Sequence, residues 1–158
     1  MKSLFKLLLE LPRYSSGNAL AEMTIIIPVA ISLMGGVVDF GMAFSTWATG
    51  TKSVRDAARY LGTLPSSYCS SSWAVANTQS LAVYGKLGGA DGVDTPLAPG
   101  WKMSGGSNNN VTVDCSNLPV SVIVTAKIPY NSLIVAPLLP IAKTYTLSIQ
   151  HEEPSIGE

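Results

Sequence analysis

The sequence predicts an α+β protein in which a long amino-terminal helix crosses a membrane and continues outside it. A short second helix and a small carboxy-terminal antiparallel β-sheet are predicted to follow. Three observations support this class. An uncharged apolar run occupies residues 23–38, residues 62–118 are rich in Gly, Ser, Asn and Pro, and alternating apolar segments begin at residue 111. The 158 residues therefore predict an anchor and one small outer domain.

The charge balance argues against two broad classes of protein. Ten Lys and Arg residues offset ten Asp and Glu residues, and 47% of the chain is hydrophobic. A disordered chain combines low hydrophobicity with high net charge, and a nucleic-acid-binding protein carries a basic excess. Neither class fits, and we expect no nucleic-acid partner.

The apolar segment from Met23 to Phe44 is long enough to span a bilayer. Its only charged residue is Asp39. As a helix it would extend for about 33 Å, which matches the hydrocarbon core of a membrane. Pro28 lies near its start, where water or neighbouring groups can satisfy the carbonyl that a proline frees. The segment is therefore predicted to be a transmembrane helix with a bend in its first turn.

Basic residues ahead of the span predict its orientation. The first 17 residues contain three basic residues and one acid, namely Lys2, Lys6, Arg13 and Glu10. Positive charge favours the cytoplasmic side, so the amino terminus is predicted in the cytoplasm and the outer domain across the membrane. A cleaved secretory signal is the alternative, but its apolar core is normally about 7–15 residues, which is shorter than this run.

A processing motif precedes the span. Gly17 is followed by Asn18 and three more uncharged residues before Glu22 opens the apolar helix. This arrangement resembles the cleavage site of type IV prepilins, which implies cutting between Gly17 and Asn18 by a prepilin peptidase. Buried carboxylates are costly unless paired, and the resemblance implies that Glu22 meets the new amino group of its own or a neighbouring chain. Alternatively, Glu22 lies in the headgroups, where the helix dipole favours an acid.

A longer ordered set of residues resembles one family. The set comprises Gly17, Ala21-Glu22, Pro28, Asp39-Phe40-Gly41 and the basic-aromatic string at residues 55–60. At these spacings the chain resembles the TadE-like family of tight-adherence pilus proteins. The resemblance implies a pilin-like fold in the bacterial inner membrane, with a periplasmic carboxy-terminal domain. It also implies three kinds of protein partner: the prepilin peptidase, other pilins or pseudopilins, and the assembly platform.

Two departures from the family pattern refine this interpretation. Asn18 replaces the small or apolar residue that is common after the cleaved bond. Met23 stands where the major pilins of this system usually carry Tyr. The second departure indicates a minor pseudopilin.

Polar and small residues within the span predict contacts. Ser32 and Gly36 are four residues apart and Gly35 is adjacent, which forms a small face that lets another helix approach. Asp39 lies about 24 Å along the helix from Met23 and should reach the far interface. It is interpreted either as an acid that contacts a partner helix or assembly component, or as an acid solvated by the outer headgroups.

The helix is predicted to continue beyond the membrane. Val54, Ala57, Ala58 and Leu61 follow helical spacing, and Gly62 begins the stop signal. The predicted organisation is a basic leader, a transmembrane helix, a helix extension and an outer domain, at residues 1–17, 18–44, 45–62 and 63–158.

Cys69 and Cys115 predict a disulfide. They are the only cysteines, and both lie in the part of the chain predicted to face an oxidising compartment. Closing this loop would remove about 4 kcal/mol of unfolded-chain entropy. A metal site is disfavoured because two cysteines and a single histidine cannot complete four ligands without carboxylates.

The remaining elements of the outer domain follow from local patterns. Residues 74–87 predict a helix that ends at Gly88-Gly89 and turns four side chains inward: Val75, Leu81, Tyr84 and Leu87. A loop is predicted for residues 88–110. Alternating apolar residues predict three strands, at residues 111–115, 120–128 and 143–150.

The apolar faces of the last two strands and the segment between them carry further predictions. One face of the second strand holds alternate residues from Val120 to Ile128, and Tyr145, Leu147 and Ile149 share a face of the third. The intervening apolar residues 132–142 are too broken by proline for a second span. They are interpreted as a buried crossover or as an exposed patch against the membrane or a neighbouring subunit.

Candidate catalytic groups are sparse. His151 is the only histidine and is predicted to be an exposed tail residue beside acids. Asp91 and Asp94 lack the remaining ligands of a calcium loop. No nucleophile-elbow or phosphate-loop motif occurs in the sequence. We therefore expect no enzyme activity, no cofactor and no small-molecule substrate.

Two functional hypotheses follow. The leading one is a minor pseudopilin of a bacterial tight-adherence pilus that acts structurally in pilus assembly or initiation and in surface adhesion. The alternative is a membrane-anchored extracytoplasmic binding module that does not enter a filament. A secreted hydrolase released by signal cleavage is disfavoured because a catalytic set is missing.

Overall fold

The computed structural model describes residues 16–132, 134 and 144–157. A long helix runs through the molecule, and a short helix and a three-stranded sheet pack on its carboxy-terminal half. This order confirms the predicted α+β class. The elements are α1 (Ser16–Thr63), a single 3₁₀ turn (Ser66–Tyr68), α2 (Ser72–Tyr84), β1 (Asn110–Asp114), β2 (Ser121–Asn131) and β3 (Thr144–Pro154).

Helix α1 is continuous through the predicted span and its extension. It contains 48 residues, and Pro28 lies inside it. At the standard rise it is about 72 Å long, which exceeds the thickness of a bilayer. Residues 19–63 include a window of mean hydropathy 2.0, of which only 11% is buried. Among the described residues this is the one helix long and apolar enough to cross a membrane, so the chain fits a single-pass membrane protein.

Helix α2 begins and ends at recognisable caps. The Ser71 side chain accepts a hydrogen bond from the Ala74 N–H at 3.2 Å. Gly85 takes a left-handed conformation (φ 69°) and its N–H bonds to the Leu81 carbonyl, which stops the helix. The predicted end at Gly88-Gly89 was therefore three residues too late. The predicted inward position of Leu87 was also wrong, since this side chain is 53% exposed.

The sheet is antiparallel with β2 in the centre. Strand β3 continues to Pro154, beyond the predicted end at residue 150. His151 is consequently a strand residue opposite Val124, not an exposed tail residue. Its side chain is partly buried, and its Nε2 lies 3.1 Å from Glu153 Oε2. Val120 lies outside β2 and is exposed, contrary to the prediction that it joins the inner face.

The core lies between the carboxy-terminal half of α1 and the sheet. Val54, Ala57 and Ala58 of α1 are fully buried, as the helical spacing predicted. The small alanines allow α1 to approach the sheet closely. At Gly50 the approach is closer still, because an added Cβ would collide with the side-chain ends of Ile128 and Ile149. The outer domain is thus seated directly on α1.

Candidate functional site on the long helix

Asp39 is the centre of a polar cluster that joins α1 to the end of β2. Its side chain accepts a hydrogen bond from the Ser132 hydroxyl at 2.6 Å and from the Ile134 N–H at 3.1 Å, both at Oδ2. The Tyr130 hydroxyl donates to the Asp39 main-chain oxygen at 2.8 Å, and its distance to Oδ1 is 3.4 Å. Asp39 is only 6% exposed. Hydrogen bonds from its own chain thus replace the water that this carboxylate lacks within an apolar helix.

This arrangement corrects the interpretation of Asp39 as an acid solvated by lipid headgroups. The partners of its side chain come from residues 91 to 95 positions later in the chain. The contacts are within one chain, so a role for Asp39 in binding another subunit stays a prediction. The sequence signal that was missed is the short polar run Tyr130-Asn131-Ser132, which separates an apolar strand from an apolar connection.

Tyr130 reaches Asp39 because β2 ends beside α1. Strand β2 runs to Asn131, and its pairing with β3 continues to that residue, opposite Thr144. Burial raises the pKa of the Tyr130 hydroxyl, and the charge of Asp39 and the hydrogen bond to it raise it further. The hydroxyl therefore remains a donor over the physiological pH range. Next to it, a cavity of about 380 Å³ opens between α1 and β2.

The predicted small-residue face of α1 is divided between two environments. Gly35 is buried, and an added Cβ would collide with Cγ2 of Ile134. Ser32 is exposed, and its hydroxyl donates to the Pro28 carbonyl within the helix. Gly36 has open space where a side chain would extend. Packing by another helix therefore stays a prediction for Ser32 and Gly36, whereas Gly35 contacts its own chain.

The predicted processing site lies at the beginning of α1. Residues 1–15 of the predicted leader lie outside the described residues. Gly17 and Asn18 belong to the first turn of α1. Glu22 is exposed one turn later, at the start of a surface of exposed apolar side chains. The structure therefore places Glu22 where another chain or a peptidase could reach it, while cleavage itself stays a prediction.

The predicted disulfide is confirmed. Cys69 and Cys115 are bonded, across a sequence separation of 46 residues. Cys69 is buried in a small apolar cluster with Leu61, Ala74 and Val122. The bond links the turn after α1 to the end of β1 and holds the far end of the outer domain together.

The carboxylates of the long loop between α2 and β1 are occupied by structural hydrogen bonds. Burial pushes the pKa of Asp91 upward, but bonds from Tyr84 and from the Met103 and Ser104 N–H groups outweigh it and lower that pKa overall. Burial and the bond to Asp91 raise the pKa of Tyr84 to about 12. Asp94 pairs with Lys86. No group of three or more potential metal ligands occurs among the described residues.

Comparison with known proteins places the site in a family context. The family model described as TadE-like protein matches residues 17–59. This range covers most of α1, from Gly17 through Glu22 and Asp39 to Arg59, and it confirms the resemblance found in the sequence. Neither a curated protein nor a solved structure matches the chain. The family match indicates a pilus-related membrane protein.

Proposed function

We propose that this chain, whose residues 17–59 match the TadE-like family, is a minor pseudopilin of a bacterial tight-adherence pilus. A prepilin peptidase cuts it between Gly17 and Asn18, and the mature protein acts structurally in pilus assembly or initiation and in surface adhesion. It sits in the inner membrane with its outer domain in the periplasm, and it has no catalytic role. Its partners are the peptidase, other pilins or pseudopilins and the assembly platform.

The observation that carries this proposal is that the family match coincides with an exposed apolar helix. The side chains of α1 between residues 20 and 44 are mostly exposed and apolar, and the outer domain packs mainly on later turns. So large an apolar surface is stable only in lipid or against other helices. A helix that serves first as an anchor and then as a bundle element meets both conditions.

The proposed cleavage is tested by intact-mass spectrometry of the protein from cells with and without the prepilin peptidase. We expect the mature mass to correspond to a chain that begins at Asn18 when the peptidase is present. The uncut mass is expected in its absence. An amino terminus at Met1 in both strains would contradict the processing proposal.

Replacing Glu22 tests the structural role. We expect Glu22→Ala and Glu22→Gln to reduce piliation to background, because neither side chain can neutralise the amino group of Asn18. Thr24→Ala is the matched control, since Thr24 is also exposed and its hydroxyl bonds only to the Leu20 carbonyl in the same helix. Pili are counted by electron microscopy, with membrane levels of the protein measured in parallel. Normal piliation in both Glu22 variants would refute the role.

The second candidate function is the anchored binding module, and one surface feature favours it. A groove of about 370 Å³ at the far end of the outer domain is lined by Leu64, Pro65, Tyr68 and Trp73. Tyr68 and Trp73 are both more than half exposed. Exposed aromatic residues in a groove are typical of binding surfaces. If Glu22 variants leave the protein's surface function intact, this candidate replaces the first.

A further inference from the structure

The chain after β2 descends along α1 toward the amino-terminal end of that helix. Tyr130 and Ser132 bond to Asp39, and Ile134 packs against Gly35, one turn closer to the amino terminus. Gly35 lies nine residues before Phe44, which is about 13 Å along the helix axis. If residues 23–44 span the membrane, Ile134 lies well inside the hydrocarbon core, whose half-thickness is about 15 Å.

The neighbouring side chains of α1 set the environment at this depth. Met34 lies one residue before Gly35 and Val37 two residues after it, and their side chains are 71% and 74% exposed. In a membrane the side chains of Met34 and Val37 contact lipid acyl chains. Ile134, which packs against Gly35 of the same helix, lies at the same depth and is therefore also at the level of lipid. Ser132 through Ala142 contain no charged residue. Of this stretch the structure describes Ser132 and Ile134.

Backbone that enters a membrane must have its polar groups satisfied, and Asp39 supplies an acceptor. Its Oδ2 accepts both the Ser132 hydroxyl and the Ile134 N–H. A backbone N–H without a hydrogen-bond partner in hydrocarbon costs several kcal/mol of free energy. An acceptor that is already in place therefore lowers the free-energy cost of placing non-helical backbone in the membrane. A carboxylate in an apolar membrane span is energetically costly. Asp39 offsets this cost by accepting the hydrogen bonds of Ser132 and Ile134.

Aromatic residues mark the level at which the chain enters. Tyr130 and Tyr145 are cross-strand neighbours at the ends of β2 and β3. On α1, Phe44 and Trp47 stack with ring centroids 6.0 Å apart, and both are exposed. Tyrosine and tryptophan concentrate at membrane–water interfaces. The aromatic residues of both elements therefore lie on the outer-domain side of Ile134, and Phe44 and Trp47 are placed for the interfacial region.

We propose that the chain directly after β2, at Ser132 and Ile134, lies within the outer leaflet beside α1, with Asp39 as its anchor and lipid acyl chains as the partner of Ile134. In the part of the chain that the structure describes, Ile134 would then lie in lipid together with α1. This inference rests on α1 as a membrane span and does not depend on a role in a pilus.

The depth of Ile134 is measured with a fluorescent label. The full-length Ile134→Cys variant is labelled with bimane without reductant, so that the Cys69–Cys115 disulfide stays closed, and is reconstituted at low density in phosphatidylcholine–phosphatidylglycerol vesicles. Val37→Cys is the membrane reference, and Val120→Cys, at a site 67% exposed on the outer domain, is the aqueous reference. Quenching is compared for nitroxide-bearing lipids and for iodide on both sides of the membrane.

We expect the label at position 134 to lose the same fraction of fluorescence to nitroxide lipids as the label at position 37. Iodide should quench it as little as it quenches position 37 and much less than position 120. Iodide quenching equal to that at position 120 would overturn the proposal, because it would place Ile134 in water. Shielding from both quenchers would overturn it too, because the partner would then be protein.

The anchoring role of Asp39 is tested in the same system. In the Asp39→Ala background neither the Ser132 hydroxyl nor the Ile134 N–H keeps its acceptor, so iodide quenching at position 134 should rise to the level at position 120. Ser32→Ala is the matched control, since Ser32 is an exposed polar residue of the same span that bonds only to the Pro28 carbonyl in its own helix. Unchanged quenching in Asp39→Ala would refute the anchor, even if position 134 lies in lipid.

Discussion

Replacing both Cys69 and Cys115 by alanine is expected to lower the free energy of unfolding of the outer domain by about 4 kcal/mol. The disulfide closes a loop with a sequence separation of 46 residues, and the loss of loop-closure entropy gives this magnitude. The long loop between α2 and β1 contributes two buried hydrophobic side chains, Ala98 and Trp101, so most of this loop adds little to the stability of the domain. A loss of this size is a large fraction of the stability of a small domain.

The measurement is denaturant unfolding of the full-length protein in detergent micelles, followed by near-ultraviolet circular dichroism. Reduction of the wild-type protein is the control and should reproduce the midpoint of the double variant. The same reductant should leave the variant unchanged. Equal stabilities of the oxidised wild type and the variant would show that residual structure in the unfolded chain already holds the two segments together.

The long helix could be predicted well from the sequence because helical spacing of apolar residues is a short-range pattern. The carboxy-terminal half of α1 follows helical spacing at Val54, Ala57, Ala58 and Leu61, and all four side chains are buried. The end of α2 was less determined, because glycines at positions 85, 88 and 89 all provide a stop. The structure uses the first of them, which leaves Leu87 outside the helix. Such a choice depends on packing rather than on the pattern.

The Asp39 cluster could not be predicted from spacing. Asp39 and Tyr130 are 91 residues apart, and no periodicity connects a transmembrane helix with the end of a distant strand. From the sequence, lipid headgroups and other proteins are the partners expected for this acid. The fold supplies a third possibility, because the end of β2 and the residue after it bring the hydroxyl groups of Tyr130 and Ser132 to Asp39. A contact between residues so far apart in the sequence can be recognised only when the position of β2 relative to α1 is known.

The small residues of α1 also have surroundings that the sequence pattern could not distinguish. A glycine in a membrane helix predicts that something approaches closely, but it does not identify the partner. At Gly35 the partner is Ile134 of the same chain, whereas Gly36 faces open space. The pattern predicted a close approach at the small residues, but it did not predict which part of which chain makes that approach. The family match covers this region, but it likewise gives no information on which face meets another subunit.

Truncating Trp101 is the second change with a large expected effect. Trp101 is 1% exposed and lies in the main core with Val83, Val111 and Ile128. Trp101→Ala would leave a large cavity and is expected to cost about 3–5 kcal/mol of unfolding free energy. The measurement is the same denaturant unfolding in micelles. Trp73→Ala is the matched control, because Trp73 is 57% exposed, and we expect its cost to stay within about 0.5 kcal/mol.

Trp101→Phe separates packing from hydrogen bonding at the same site. The indole Nε1 of Trp101 is buried and has no hydrogen-bond partner among the described residues. Removing that N–H therefore sacrifices no bond and relieves a desolvated donor, which offsets part of the volume lost. We expect Trp101→Phe to cost less than half as much as Trp101→Ala. Equal costs would mean that the indole N–H makes a bond in solution, and the contribution of Trp101 would then be polar as well as steric.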